Sequence, residues 1–292
     1  MAQRGPEGRT GGLVELRHGA RRRELAADRA RYADRLLGSC CLCQWHCGVD
    51  RTHVATGKCG CDAASYAYFE GVLWGEETLV TPSYSVFFAG CNSRCAFCYA
   101  ADRNRQPSAH TPVDVRAVAA RIRRAAPPPR SFSLIGGEPT VHLRTSLQLI
   151  AAVPAELTIV WNSNFYFSEV TASLLAGIVD VFTADLHFGN DGCAQAIAGL
   201  PHYLEVIRRN LCWAQAEGAL VVRHLVLPGH FDCCTRPALH WLAAELPAAP
   251  VHLLTNYLPP EAGAGALARE LSEAEAAAAF ELARGLGLRT IE

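Results

Sequence analysis

Lysine is almost missing from this 292-residue chain: Lys58 is the single one among 27 basic residues, and the rest are arginines. Set against abundant alanine, that bias reads as a high-GC coding sequence, not as a binding device. Charge of one sign is also lacking. With 28 acidic residues the formal net charge is −1, which excludes a whole-chain basic binder that would hold nucleic acid by bulk electrostatics. Long apolar runs are absent: no stretch reaches the roughly 18 consecutive apolar residues a membrane-crossing helix needs. The start, MAQRGPEGRT, leads to no apolar signal-peptide core. The arginine-rich run from Leu13 to Leu37 carries Glu15, Glu24, Asp28 and Asp34, which a transit peptide would lack. Neither nucleic acid nor a membrane is expected as a partner, and a cytoplasmic location is expected. Disorder is excluded too, since half the residues are hydrophobic and 19% are charged.

What the chain has in excess is cysteine, 13 in all. In a reducing compartment such a count points to metal binding before disulfides.

Residues 1 to about 12 are polar and Gly-rich and are expected to be disordered. Residues 13–37 predict a charged amphipathic helix packed on the main body. A cysteine-dense stretch follows, Cys40 to Cys61. From about residue 84, short apolar runs alternate with helical segments: 85–90, 131–137, 157–163, 179–188, 219–229 and 251–257, separated by helical periods at 113–125, 143–153, 168–177, 202–216 and 235–246, with a last helix at 272–286. This alternation predicts parallel βαβ units, and the nearly continuous apolar strands predict a sheet buried on both faces. Six units give a (β/α)6 partial barrel or a doubly wound sheet; in either, ligands sit at the carboxyl ends of the strands. The expected organisation is a start and charged helix over 1–37, a cysteine-rich metal-binding module over 38–80 and the barrel over 81–292.

Directly after the first of these strands stands Gly90-Cys91-Asn92-Ser93-Arg94-Cys95-Ala96-Phe97-Cys98-Tyr99. Three thiolates spaced C-x3-C-x2-C on one loop can hold three irons of a 4Fe–4S cluster and leave the fourth open to a ligand. A zinc knuckle or plain buried thiols is the competing reading of the spacing alone. The next strand ends in Gly136-Gly137-Glu138-Pro139, where small residues let the backbone approach a ligand and a carbonyl or carboxylate can accept from an ammonium group.

This pair of motifs resembles the radical SAM superfamily, whose open iron chelates S-adenosylmethionine and whose reduced cluster cleaves it to a hydrogen-abstracting 5′-deoxyadenosyl radical. The order CxLCxxxCGVxR…GxCG, GEE, FFxGCNxRCxFC, a strand-end N-S-N, DVFxADLxF and VxRHLVLPG resembles more closely the branch similar to pyruvate formate-lyase activating enzyme with a cysteine motif ahead of the barrel. This resemblance covers roughly residues 38–290. It implies an α/β fold of the partial TIM-barrel type with an N-terminal helical and cysteine-rich extension. It also implies a 4Fe–4S cluster on Cys91, Cys95 and Cys98, and S-adenosylmethionine as cofactor. Phe97 and the Tyr99 backbone would lie near the adenine, and Gly136, Gly137 and Glu138 near the methionine end. Asn162, Ser163 and Asn164 would make ribose or carboxylate contacts. Asp185 and His187 fall where activating enzymes carry an Asp-x-Lys pair, with histidine here in place of lysine. Arg223 falls where those enzymes place an arginine near the cofactor. A reductase, flavodoxin or ferredoxin is implied as electron donor.

Cys40, Cys43, Cys47 and Cys59 fit the upstream motif and suit zinc, a single iron or an auxiliary iron–sulfur cluster, with Cys41 and Cys61 as extra candidates. Cys193 follows the fourth strand, and Cys233 and Cys234 follow the fifth. One of these loop thiols is read as a hydrogen-atom donor to a substrate radical; a third metal site, though three cysteines leave it short of a ligand, and a plain packing role stay open. His230, beside them, is the acid–base candidate, whereas His142 and His252 read as structural. Cys212 is expected in the core beside Trp213.

The expected function is a radical SAM enzyme, of oxidoreductase or epimerase type, acting on a small molecule such as a sugar or secondary metabolite, with Cys233 or Cys234 returning hydrogen. The alternatives are activation of a glycyl radical partner enzyme and, in another class, a non-catalytic iron–sulfur electron carrier.

Overall fold

The computed structural model describes residues 19–53, 57–74, 80–261 and 264–291. The expected disordered start, the first six residues of the expected helix and the Gly-Glu-Glu segment at 75–77 lie outside the described residues.

In chain order the elements are α1 (Gly19–Leu36), β1 (Tyr66–Leu73), β2 (Ser83–Phe88), α2 (Ala101–Arg105), β3 (Thr111–Pro112), α3 (Val115–Arg124), β4 (Ser131–Gly136), α4 (Leu143–Ala152), β5 (Thr158–Ser163), α5 (Glu169–Leu175), β6 (Val181–Asp185), α6 (Asp191–Ala198), α7 (Tyr203–Glu217), β7 (Ala219–Leu225), α8 (Arg236–Glu245), β8 (Val251–Leu254), α9 (Glu273–Gly285) and β9 (Thr290–Ile291). They form one sheet in the order β3-β1-β2-β4-β5-β6-β7-β8-β9. From β2 through β9 every pairing is parallel. From β2 through β9, leaving aside the β3 edge strand, the order never reverses, so each crossover between parallel strands moves the chain the same way round. That is the partial-barrel solution; a doubly wound sheet needs a reversal at its switch point.

The six apolar runs read from sequence are the six strands β2, β4, β5, β6, β7 and β8. Their burial is nearly continuous, as in β5, where only the first residue is partly exposed. The helices start where polar caps stand. Asp114 accepts from the Arg116 and Ala117 amides at α3, Ser168 from Thr171 at α5, and Ser272 with Glu275 closes a capping box at α9.

Three features depart from expectation. The first is β1, which lies ahead of the expected boundary at residue 80 yet pairs antiparallel with β2 and belongs to the barrel sheet. The second is α1, which is more than a solvated face. Its Ala26, Ala30 and Ala33 are buried, small enough for α1 to pack closely along α4. Its Arg22 is buried as well and donates to Asp180 Oδ2 at 2.8 Å and to the Ala155 and Leu157 carbonyls. The third is Cys212, which is exposed on α7. Leu211 and Ala214 take the inward face, and one residue's turn of the helix carries Cys212 outward.

The cysteine-rich stretch is fastened to the segment after β5. Cys43 bridges Phe167, and Ser168 and Thr171 hydroxyls donate to the Leu42 carbonyl. Beneath, Phe165, Phe167, Phe182 and Trp213 form an edge-on aromatic cluster in the core.

Candidate functional site

The carboxyl ends of the parallel strands surround a cavity of about 470 Å³, within the usual range of small-molecule sites. Cys91, Cys95 and Cys98 line it, on the loop that leaves β2. Each thiol has a polar donor beside it. Ser93 Oγ lies 3.2 Å from Cys91 Sγ and 3.4 Å from Cys95 Sγ, and Asn164 Nδ2 donates to Cys91 Sγ at 3.6 Å. Asn104 Nδ2 donates to Cys98 Sγ at 3.8 Å. Without a bound cation, burial pushes all three thiols up, Cys95 to about 12, so a metal would have to supply the charge that makes them thiolates. Their sulfurs are not among the described ligand atoms that converge within 4.8 Å. Three thiols on one loop, each with a polar donor beside it, are a donor set that a three-point attachment of a cluster would use.

The loop is shaped by glycines. Gly136 has φ +117, and a Cβ on it would lie 2.2 Å from the Phe88 amide nitrogen. A Cβ on Gly137 would lie 2.2 Å from the Gly90 carbonyl oxygen and 2.3 Å from Asn104 Oδ1. The close approach these residues permit is therefore first to the cysteine loop and β2, where close approach to a ligand was expected.

Of the residues expected on the cofactor side, Phe97, Tyr99, Gly136, Gly137, Asn162, Ser163, Asn164, Asp185, His187 and Arg223 all line the cavity. Glu138 does not. It is fully buried, and its carboxylate accepts from the Thr140 amide at 3.0 Å, the Ser163 hydroxyl at 2.8 Å and the Asn164 amide at 2.8 Å. Burial raises its pKa while those donors oppose the rise. Its carboxylate braces the 163–164 segment.

Across the cavity floor, Arg223 donates to Asp185 Oδ1 at 2.7 Å and to Asn162 Oδ1 at 2.8 Å. His187 stands 3.7 Å from Asp185 Oδ2, edge-on to Phe97 at 5.7 Å between centroids. Burial, with Arg223 adding to it, lowers the His187 pKa against the pull of Asp185. The Leu225 amide donates to His187 Nδ1 at 3.2 Å, which assigns the ring proton to Nε2.

The upstream cysteines gather behind this loop. Cys43 is pushed up to about 12 by burial, with Cys59, Cys40 and Cys47 all near enough to raise it further. Cys61 and the buried Arg51 hold the Cys59 thiol down, to about 6. Arg51 donates to the Cys61 and Asp62 carbonyls and approaches Cys40 Sγ at 3.9 Å. The stretch is latched to the cysteine loop by Trp45 Nε1 on the Asn92 carbonyl at 2.7 Å and Arg94 on the Lys58 carbonyl at 2.7 Å.

Cys193, His230, Cys233 and Cys234 are brought together, but none of them lines the cavity. Cys233, Cys234 and His230 thus stand together outside the lining of the cavity that holds the motif thiols. Their segments are also not loops: Cys193 lies on α6, and Phe231–Thr235 is a π-helical turn running into α8. His142 is structural. It is buried, stacked on Phe88 and bonded to the Ala89 carbonyl at 2.8 Å, and its pKa falls to about 3.

Ser93, Asn104 and Asn92 were missed from sequence as site residues. Ser93 and Asn92 lie inside the cysteine motif itself, and that was the available signal. Asn104 carried none, since only the fold returns it to Gly90, whose amide it accepts at 3.0 Å.

The geometry has counterparts. The family model described as the Radical SAM superfamily matches residues 85–242. An uncharacterized protein of Methanocaldococcus jannaschii is 31% identical over 233 residues, 78% of this chain and 68% of that protein. Crystal structures of SuiB from Streptococcus suis share the fold at 14% identity. The first has a TM-score of 0.51 and covers 70% of this chain, and the one bound to S-adenosylmethionine has 0.51 and covers 68%. This chain spans 47% of the SuiB chain in each case. With a family model over more than half its length, laid on the sheet that carries the three-cysteine loop, the chain belongs to the radical SAM superfamily.

Proposed function

We propose that the chain holds a 4Fe–4S cluster through Cys91, Cys95 and Cys98, binds S-adenosylmethionine beside it, and abstracts hydrogen from a small molecule in the same cavity. One observation carries this reading: the three motif thiols and ten of the eleven residues expected on the cofactor side face a single cavity, with Glu138 the exception. When bound, the reduced cluster and its cofactor supply the electron and the 5′-deoxyadenosyl radical. The chain's own part is to bind, orient and shield. Ser93, Asn104 and Asn164 place donors on the thiolates, which tunes a cluster's potential. Arg223, Asp185 and Asn162 fix a polar edge for the cofactor, and neutral His187 presents an Nε2 proton toward Asp185. Val160, Leu225 and Leu254 line the apolar side and keep water from a reactive carbon.

The reading extends to the branch similar to pyruvate formate-lyase activating enzyme, supported by the motif order over residues 38–290. Cys40, Cys43, Cys47 and Cys59 would then hold an auxiliary cluster. Cys40, Cys47 and Cys59 all lie near enough to Cys43 to raise its pKa, and four thiolates so grouped suit a cluster or a zinc ion. The electron donor would be a reductase, flavodoxin or ferredoxin.

A second reading, in which the substrate is a glycine of a partner enzyme, is supported by Tyr99 and Leu258. Both line the cavity, and each is 73% exposed at its rim, as a partner-facing surface would be. SuiB has been crystallised with its precursor peptide SuiA, so polypeptide substrates occur on this fold.

The test is anaerobic. The protein is reconstituted with iron and sulfide, reduced and given S-adenosylmethionine, and 5′-deoxyadenosine is assayed against a control with Cys91, Cys95 and Cys98 all changed to Ala. Product in the wild type alone supports the proposal. An intact reduced cluster whose paramagnetic resonance is not perturbed by S-adenosylmethionine, and which forms no product, overturns it. Deuterated small molecules against glycine-containing peptides then separate the two substrate readings.

A further inference from the structure

Cys193, His230, Cys233 and Cys234 form, among the described residues, the one group of three or more His, Cys, Asp or Glu whose ligand atoms all lie within 4.8 Å of one another. We propose that they bind a single zinc ion through three thiolates and the His230 Nδ1, at a site separate from the three-cysteine loop.

The distances carry it. Cys193 Sγ lies 3.7 Å from Cys233 Sγ, and Cys233 Sγ lies 3.9 Å from Cys234 Sγ. His230 Nδ1 lies 3.3 Å from Cys233 Sγ and 3.8 Å from Cys193 Sγ. A tetrahedral zinc with bonds of about 2.3 Å to sulfur and about 2.0–2.1 Å to nitrogen sets its ligands about 3.8 Å apart for sulfur pairs and about 3.5 Å for sulfur–nitrogen pairs. Four of the six ligand pairs stand at 3.3–3.9 Å, and the other two, both with Cys234, lie within 4.8 Å. Thiolates on different irons of a cluster would stand wider, so the spacing selects one ion, and three sulfurs with one nitrogen suit zinc.

The surrounding chain is built for this convergence. The ligands come from the connections after two adjacent strands, Cys193 after β6 and the other three after β7. Gly189 lets the two connections touch: a Cβ there would lie 2.5 Å from the Cys234 carbonyl oxygen and 2.8 Å from that of Cys233. Asn190 donates to Cys193 Sγ at 3.2 Å and to the Cys233 carbonyl at 2.8 Å, an outer contact of the kind that orients a metal ligand. The π-helical turn sets Cys233 and Cys234 on the same side as His230, whose carbonyl accepts from both the Cys234 and Thr235 amides. Such turns in a helix start recur at functional sites.

Bound in this way, the ion is a staple between the β6 and β7 connections, whose strands end in Asp185 and Arg223. It also ties up Cys233 and Cys234, which then have no free S–H to donate.

The test is metal content and X-ray absorption on the anaerobically purified full chain, after iron–sulfur reconstitution. About one zinc per chain is expected, lost in Cys193→Ser and in Cys233→Ser with iron content unchanged. The zinc absorption edge of the wild-type protein should show a nitrogen neighbour at about 2.0–2.1 Å beside sulfur at about 2.3 Å. His142 Nε2 lies 3.9 Å from Cys61 Sγ in the upstream cysteine group, so the nitrogen is assigned by His230→Ala, which must remove it from the zinc shell, while His142→Ala must leave it in place. A zinc shell without nitrogen, zinc retained in both variants, iron lost together with zinc, or a Cys193–Cys233 disulfide in the mapped peptides overturns the proposal.

Discussion

Arg223 on β7 and Asp185 on β6 meet across neighbouring strand ends, with Arg223 Nε and Nη2 at 2.8 and 2.7 Å from the same oxygen, Oδ1. They are also opposite each other in the parallel register. The side chains are only 14% and 16% exposed, so the pair is held by the sheet and holds the cavity floor in turn.

Asp185→Asn keeps the shape and removes the charge that positions Arg223. The expected outcome is a fall of about tenfold or more in 5′-deoxyadenosine formation, equal to about 1.4 kcal/mol. Iron content should not change, because Asp185 touches no motif thiol. Parallel iron and product assays check this.

Gly137→Ala places a methyl group 2.2 Å from the Gly90 carbonyl oxygen and 2.3 Å from Asn104 Oδ1. Backbone cannot yield cheaply there, so the cysteine loop should be displaced. Reconstituted iron per chain should drop along with product, which separates this variant from Asp185→Asn.

Breaking the buried Arg22–Asp180 pair is expected to be costly. Its side chains are 1% and 0% exposed, and Arg22→Ala would take the guanidinium from a buried carboxylate that also accepts from the Ile159 amide. A loss of about 3–5 kcal/mol is expected, read as a lowered denaturant midpoint. Arg22→Met, which fills the space, should still lower the midpoint, because the buried carboxylate loses its cation. Arg22→Met with Asp180→Leu should recover part of the loss.

Stability should fall as the solution is acidified below neutrality. His142 and His224 are buried, and their folded-state pKa values are depressed to about 3 and about 4 by desolvation. The unfolded chain protonates both near the ordinary value of about 6.5 and so binds more protons than the folded chain below it. The contribution is complete above about pH 6.5 and shrinks by up to about 1.4 kcal/mol per pH unit per histidine on the way down. Thermal midpoints between pH 7 and 5 test it, and His224→Asn, which loses the Thr235 contact, should lower the midpoint at pH 7 but flatten its slope with pH.

The barrel was legible in the linear order of the residues because its signals are local. A buried parallel strand needs a short continuous apolar run, and β5, with Ile159, Val160 and Trp161, is one. β1 was not read, since its partly exposed residues give no clean alternation and its pairing depends on β2. The cysteine loop and the glycine pair were legible as well, because ligands for one cluster are presented from a single turn of chain. Glu138 was placed correctly at a strand end, yet its carboxylate turned inward to Ser163 and Asn164, a direction that no spacing encodes.

Residue order thus carries the superfamily motif and the six successive parallel strands β2, β4, β5, β6, β7 and β8, all of which depend on neighbours a few positions away. The convergence of Cys193 with His230, Cys233 and Cys234 depends on β6 and β7 lying side by side, a contact between residues 37 to 41 positions apart. The linear reading found three thiols and judged the set one ligand short. Folding supplied the fourth ligand from a histidine that had been given another task, because the parallel register, and not sequence distance, sets which strand ends meet.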